Sequence, residues 1–124
     1  MTLLDTSVII DFLAGDQKIV ALIQEIIRRE DVKTTTITEY ELLRHKTKIR
    51  KQAAERFLSG VTVYSFDRAA AQRAALLFEE LRDSGRMINE NDLLIAGISL
   101  ANDELLLTRD QKFGNLDNVN IKIV

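Results

Sequence analysis

Thr2-Leu3-Leu4-Asp5-Thr6-Ser7-Val8-Ile9-Ile10 decides the fold of this chain. Leu3-Leu4 is a short apolar run of the kind that closes a buried strand. Asp5 follows it directly, and Val8-Ile9-Ile10 suits a helix that begins near Ser7. Near the other end the arrangement recurs, with Leu105-Leu106-Leu107 leading through Thr108 and Arg109 to Asp110. In an open parallel sheet, ligands bind outside the carboxyl ends of the strands, at the point where strand order reverses. Acids at two such ends can meet although they are far apart in sequence. Carboxylates gathered without cations repel one another, and a hard divalent cation with oxygen ligands, Mg2+ or Mn2+, is the usual means of holding them together.

Composition removes most other chemistry. The chain has 124 residues, 46% of them hydrophobic, which fits a single domain over 1–124 with one core. No apolar run is long enough to cross a bilayer, and the first residues lack the basic and apolar pattern of a secretion signal. A cytoplasmic protein with no membrane partner is therefore expected. Cysteine is absent, so disulfides, thiolate zinc sites and cysteine nucleophiles are all excluded. The single histidine, His45, cannot supply the histidine pair of a metal-free ribonuclease or a histidine-rich zinc site, and no nucleophile-elbow pattern accompanies it. Carboxylate and metal chemistry remain. The net charge of −2 lacks the basic balance of a dedicated nucleic-acid binder, but a bound cation can supply positive charge locally.

Helical and strand patterns alternate along the chain. Thr2 to Leu4 reads as the first strand. Ile19, Leu22, Ile23, Ile26 and Ile27 then mark one apolar face of a helix ending near Arg29. Lys33 to Ile37, short and β-branched, reads as the second strand, with a helix from Thr38 through Glu41, Leu42 and Leu43. Arg44 to Lys48 breaks the pattern and Ala53 to Leu58 resumes it. Val61 to Tyr64 reads as the third strand. Asp67 is placed to cap a helix rich in Ala69, Ala70, Ala71, Ala74 and Ala75, with Leu77, Phe78 and Leu81 as bulk and Gly85 as its stop. Asn89 to Asn91 precedes a helix over about Asp92 to Ala101. Leu105 to Leu107 and Val119 to Val124 complete the strands. The alternation predicts a three-layer α/β/α sandwich around a mostly parallel sheet.

Each acid also has a structural explanation. Asp5 could cap the helix that follows it. Thr38-Glu39-Tyr40-Glu41 matches a capping box, with Thr38 as N-cap and Glu41 reaching back to it. Asp92 lies in a first helical turn, where negative charge is favoured. Asp110 could cap a short turn leading to Phe113. Their shared location at strand ends is what favours function. The basic run Arg44 to Lys51 reads as a solvated segment able to contact phosphates. Arg109 suits either a substrate phosphate or a structural acid.

Leu4-Asp5-Thr6-Ser7-Val8-Ile9-Ile10-Asp11, Glu41-Leu42-Leu43, Asn91-Asp92-Leu93-Leu94-Ile95-Ala96 and Leu107-Thr108-Arg109-Asp110 with Phe113 beyond it resemble, in order and spacing, the motifs of PIN domains. Within that family the chain resembles the VapC toxins of VapBC toxin-antitoxin pairs. The resemblance implies a PIN-like fold and an acidic cluster of Asp5, Glu41, Asp92 and Asp110. It places Thr6 or Ser7 as supports of Asp5, and Thr108 beside the cluster. It further implies an RNA substrate, a small VapB-like antitoxin whose tail enters the active-site groove, and a homodimer. Two positions depart from the pattern: Lys112 stands where many relatives carry a further Asp, and His45 where a Gly is frequent.

The expected activity is that of a Mg2+- or Mn2+-dependent endoribonuclease, the toxin of a type II toxin-antitoxin system, in which a metal-activated water attacks the phosphodiester. Asp5 and Asp92 are the expected direct metal ligands. Asp110 and Glu41 are left to bind through water, hold a second ion or accept the water proton. Rival readings of the first motif fail on single residues. A haloacid dehalogenase-type phosphatase needs an Asp where Ser7 stands, an integrin-like metal site needs a hydroxyl where Ile9 stands, and a receiver domain needs extra acids beside Asp5. The remaining alternative is a PIN-like scaffold that binds RNA or a partner without cutting.

Overall fold

In the computed structural model, which describes residues 1–44 and 47–124, the strands are short and their side chains alternate between the two faces of the sheet. Thr2–Leu4 forms β1, Lys33–Thr35 β2, Thr62–Tyr64 β3, Leu105–Thr108 β4 and Ile121–Ile123 β5. All pair in parallel, in the order β3-β2-β1-β4-β5. Thr2, Leu3 and Leu4 lie opposite Leu105, Leu106 and Leu107. The chain builds outward from β1 to β3 on one side, then returns to build β4 and β5 on the other. The order therefore reverses between β1 and β4, which is where such sheets bind ligands.

Because successive strand residues point to opposite faces, Leu3 and Leu106 enter one core and Leu4 and Leu107 another. The first core is covered by α5 (Arg68–Ser84) and α6 (Glu90–Ala101), through Ala70, Leu77, Leu81, Ile95 and Ile98. The second is covered by α1 (Thr6–Leu13), α2 (Gln17–Arg29), α3 (Thr36–Leu43) and α4 (Lys48–Leu58), through Val8, Ile9, Ile19, Ile23, Leu42 and Ala54. The three layers expected from the alternation are present, and the sheet is wholly parallel.

The alanine-rich helix packs closely, as its composition predicts. A Cβ added to Gly97 of α6 would lie 2.8 Å from the Ala70 carbonyl oxygen and 2.9 Å from the Ala74 Cβ. Ala70 and Ala74 alone of that alanine run are buried. Asp67 caps α5 by accepting from the Ala70 N–H at 3.0 Å. Gly85 ends the helix with φ of 74°, a left-handed conformation that glycine adopts without strain.

Several boundaries differ from the sequence reading. Strand β2 ends at Thr35, and Thr36 and Ile37 already belong to α3. Thr35 is the N-cap, its hydroxyl accepting from the Thr38 N–H at 3.0 Å. The Thr38–Glu41 capping box is thus not formed, since Thr38 sits inside the first turn. Ile27 and Phe78 are exposed instead of lying in the core. The last strand is shorter than Val119 to Val124, and α4 already begins at Lys48. The reading of His45 as an altered turn, and Lys46 of the basic run, lie outside the described residues. No helix among the described residues is long and apolar enough to cross a membrane.

Candidate active site

The exits of β1 and β4 are laced together around one carboxylate. Asp5 is only 2% exposed, and its backbone N–H donates to the Leu107 carbonyl at 2.9 Å across the switch point. Asp5 occupies the N-cap position of α1, but its side chain does not cap that helix. Instead Oδ2 accepts from the Thr108 hydroxyl at 2.7 Å and the Ser7 hydroxyl at 2.8 Å. Each hydroxyl also accepts from the β4 exit loop: Thr108 from the Asp110 N–H and Ser7 from the Arg109 N–H, both at 3.0 Å. Of the two residues expected to support Asp5, Ser7 donates to it and Thr6 does not; Thr108, expected beside the cluster, is the second donor. Burial pushes the Asp5 carboxyl above its ordinary pKa, and the Thr108 and Ser7 hydroxyls pull it back in part. Its other oxygen, Oδ1, is buried and makes no well-formed hydrogen bond, although the Thr6 and Ser7 backbone N–H groups lie near enough the carboxyl to favour its charged form weakly.

Thr6 serves a different acid. Its hydroxyl donates to Glu41 Oε1 at 2.7 Å and lies 2.9 Å from the Thr38 hydroxyl. A hydroxyl has one hydrogen, so Thr38 is the donor in that second contact. Because α3 starts at Thr36, Glu41 sits beyond the first turn and its carboxylate faces α1 instead of its own backbone.

Asp92 is the third residue of α6, where the Asn89 side chain caps the first turn by accepting from the Asn91 N–H. It is partly buried, and its pKa is raised to about 7. Burial is the main cause, followed by the charges of Asp5, Asp110 and Glu41, with Lys112 opposing them. Asp92 is thus brought close enough to Asp5, Asp110 and Glu41 to be repelled by each of them. Asp110 caps a short helical turn over Gln111–Asn115, with Oδ1 accepting from the Lys112 N–H at 2.9 Å. Among the described residues, no group of three or more Asp, Glu, His or Cys side chains is arranged to hold a metal ion. Asp5 Oδ2, Glu41 Oε1 and Asp110 Oδ1 are each engaged by a local donor.

Arg109 is engaged with protein acids. One guanidinium nitrogen lies 3.0 Å from Asp16 Oδ2 and 3.1 Å from Asp11 Oδ2. Asp16 in turn caps α2 through the Ile19 N–H, and that bond together with Arg109 holds its carboxyl below the usual range. This clamp ties the β4 exit to the corner between α1 and α2. Asp11 and Asp16 were not singled out from sequence, because nothing local marks them as partners of a residue more than ninety positions away.

An open parallel sheet carrying a buried, half-satisfied aspartate and three further acids at its switch point defines an acidic-site α/β/α protein, with neither cysteine nor paired histidine chemistry. Comparison with known proteins narrows this. The PIN domain model matches residues 2–119. Ribonuclease VapC19 of Mycobacterium tuberculosis is 30% identical over 109 residues, 87% of each chain. The crystal structure of VapBC2 from Rickettsia felis, bound to a DNA fragment from their promoter, aligns with a TM-score of 0.85 and 22% identity over 98% of this chain and 97% of that one. The crystal structure of VapBC-5 from Mycobacterium tuberculosis, a member of the VapBC family of toxin-antitoxin systems, aligns with a TM-score of 0.72 and 28% identity over 99% and 96%. The chain belongs to the PIN-domain family and is a homologue of the VapC ribonucleases.

Proposed function

We propose that this protein is a divalent-metal-dependent endoribonuclease and the toxin of a type II toxin-antitoxin pair. The observation that carries the reading is the orphaned Asp5 Oδ1, together with an Asp92 that burial and then its acidic neighbours push toward neutrality. A buried polar atom without a partner is costly, and a cation offsets both that cost and the repulsion. The donor set is all oxygen, which suits Mg2+ or Mn2+. Asp5 and Asp92 would hold the ion directly, with Glu41 and Asp110 around it. When bound, the ion would supply positive charge for the phosphodiester and lower the pKa of the attacking water.

The chain's own residues prepare that site. Ser7 and Thr108 fix Asp5 Oδ2, so that Oδ1 keeps one direction. Thr6 holds one oxygen of Glu41. Asp92 would give up its proton to hold the ion, and Glu41 or Asp110 would be left to accept a proton from the reacting water. Water as nucleophile makes a ribose 2′-OH unnecessary, so selection of RNA falls to the surface around the acids.

A VapB-like antitoxin and a second copy of the chain complete the reading, in the cytoplasm. The VapBC complexes among the structural relatives support the first. So does an apolar groove between α1 and α4, where Ile10, Leu13 and Ile49 are exposed.

The test is cleavage of RNA with Mg2+, Mn2+ or EDTA, run beside Asp5→Asn to control for contaminating nuclease. The reading expects cutting with metal and only background cutting with EDTA or the variant. Equal activity of a clean Asp5→Asn preparation would refute it. One observation favours a second reading, a scaffold that binds RNA or protein without cutting: among the described residues the acids are not arranged to enclose an ion. That scaffold would bind RNA in the same assay and leave it intact under every condition.

A further inference from the structure

The acids explain attack on a phosphodiester but not how a polyanion is retained beside four carboxylates. We infer that Tyr40 and Arg44, on the outer turn of α3, form a gripping rim that stacks an unpaired RNA base and contacts a phosphate next to the scissile bond. This rests on the ribonuclease reading and adds substrate-binding residues to it.

Three features converge on the pair. Tyr40 is 58% exposed, and nothing in the packing requires an aromatic ring there. The Arg44 guanidinium lies over that ring, 5.1 Å from its centroid. The same guanidinium approaches Glu41 Oε2 at 3.9 Å, with the Arg44 side chain 55% exposed. Arg44 therefore stands between the ring and one of the acids, at the lip of the site. At that distance and exposure its pairing with Glu41 contributes little stability, so the guanidinium is available to a phosphate. An exposed aromatic face with an arginine plane beside it is the combination that holds unpaired bases without requiring a particular sequence. A base inside a duplex offers no free face, so the rim selects single-stranded RNA.

The test uses Asp5→Asn protein, which holds RNA without cutting it, and fluorescence anisotropy with a labelled single-stranded RNA of about a dozen nucleotides. Adding Tyr40→Ala should weaken binding about ten- to hundredfold, and Tyr40→Phe, which keeps the ring face, should restore it. Arg44→Ala should lessen the slope of log affinity against log salt by about 0.7. In the otherwise native chain, Tyr40→Ala should leave the melting temperature and Mn2+ affinity unmoved, as a fold defect would not. The blunt duplex of the same RNA should bind more weakly and ignore Tyr40→Ala. If Tyr40→Ala binds the single strand as tightly as its parent, while the native chain cuts RNA with metal, the rim is overturned and the ribonuclease reading stands. If Tyr40→Ala loses only affinity for an antitoxin, the surface belongs to a protein partner and the inference fails. If the parent binds no RNA while the native chain cuts it with metal, the rim does not hold the substrate and the inference fails, and the ribonuclease reading stands.

Discussion

Asp92→Asn should make the metal-free protein more stable at neutral and higher pH, although it removes a proposed metal ligand. The Asp92 carboxyl has a folded-state pKa of about 7 against an ordinary value of 3.8. A raised folded value means that the native state holds the proton more tightly than the unfolded chain. That contribution is complete below the unfolded pKa and is lost as pH rises through the folded one. Each unit is worth about 1.36 kcal/mol, so the full shift corresponds to about 4 kcal/mol. Asp92 is partly open to solvent, which reduces the expectation to roughly 2–4 kcal/mol. Asparagine carries no charge and escapes the loss. It also forgoes the attraction of a carboxylate to the α6 N-terminus, about 0.3–1 kcal/mol, which is the smaller effect. Urea denaturation in EDTA, from about pH 5 to about pH 8, reads the difference as a gap between variant and native that widens with pH. Mn2+ should then stabilise the native chain and close the gap. A gap independent of pH, or a variant less stable than native at the alkaline end, would refute the reasoning.

Two further substitutions test the supports of the site and the packing behind it. Thr108→Val keeps the shape but removes the donor to Asp5 Oδ2 and the acceptor for the Asp110 N–H. It should cost about 1–3 kcal/mol in denaturation, and about 10- to 100-fold in Mn2+ affinity by calorimetry. Gly97→Ala drives a methyl to 2.8 Å from the Ala70 carbonyl oxygen, so α5 and α6 must separate. It should lower stability by about 1–3 kcal/mol in thermal denaturation, with Mn2+ affinity retained if α6 keeps its N-terminal placement.

The architecture was legible because strand and helix periods alternate with little ambiguity in the apolar runs. Leu3-Leu4 and Leu105 to Leu107 are short because the strands are short, and each leads to an acid because both end at the switch point. Glu41 shows where local reading misleads. Thr35, Thr36 and Thr38 are all plausible caps by side chain. The β-branched run Lys33 to Ile37 favoured a longer strand, which pushed the helix start to Thr38. Pairing of β2 with β1 falls at Lys33 and pairing with β3 ends at Thr35, and α3 begins earlier than propensity indicates. The true start frees Glu41 from a capping role and turns it toward Thr6. Ile27 and Phe78 carried the right period but are exposed. The Arg109 clamp was legible only as a choice between substrate and structural acid, since Asp11 and Asp16 reach it through the tertiary fold.

The most direct test of the account is calorimetric titration of Mn2+ into the native chain, Asp5→Asn and Asp92→Asn at neutral pH, in two buffers of different ionisation heat. The account predicts binding to the native chain with release of about half a proton near pH 7, falling away at higher pH as Asp92 is already ionised. Neither variant should retain that signature. Absence of binding to the native chain, or equal binding by Asp5→Asn, would contradict the claim that these acids are gathered to hold a cation.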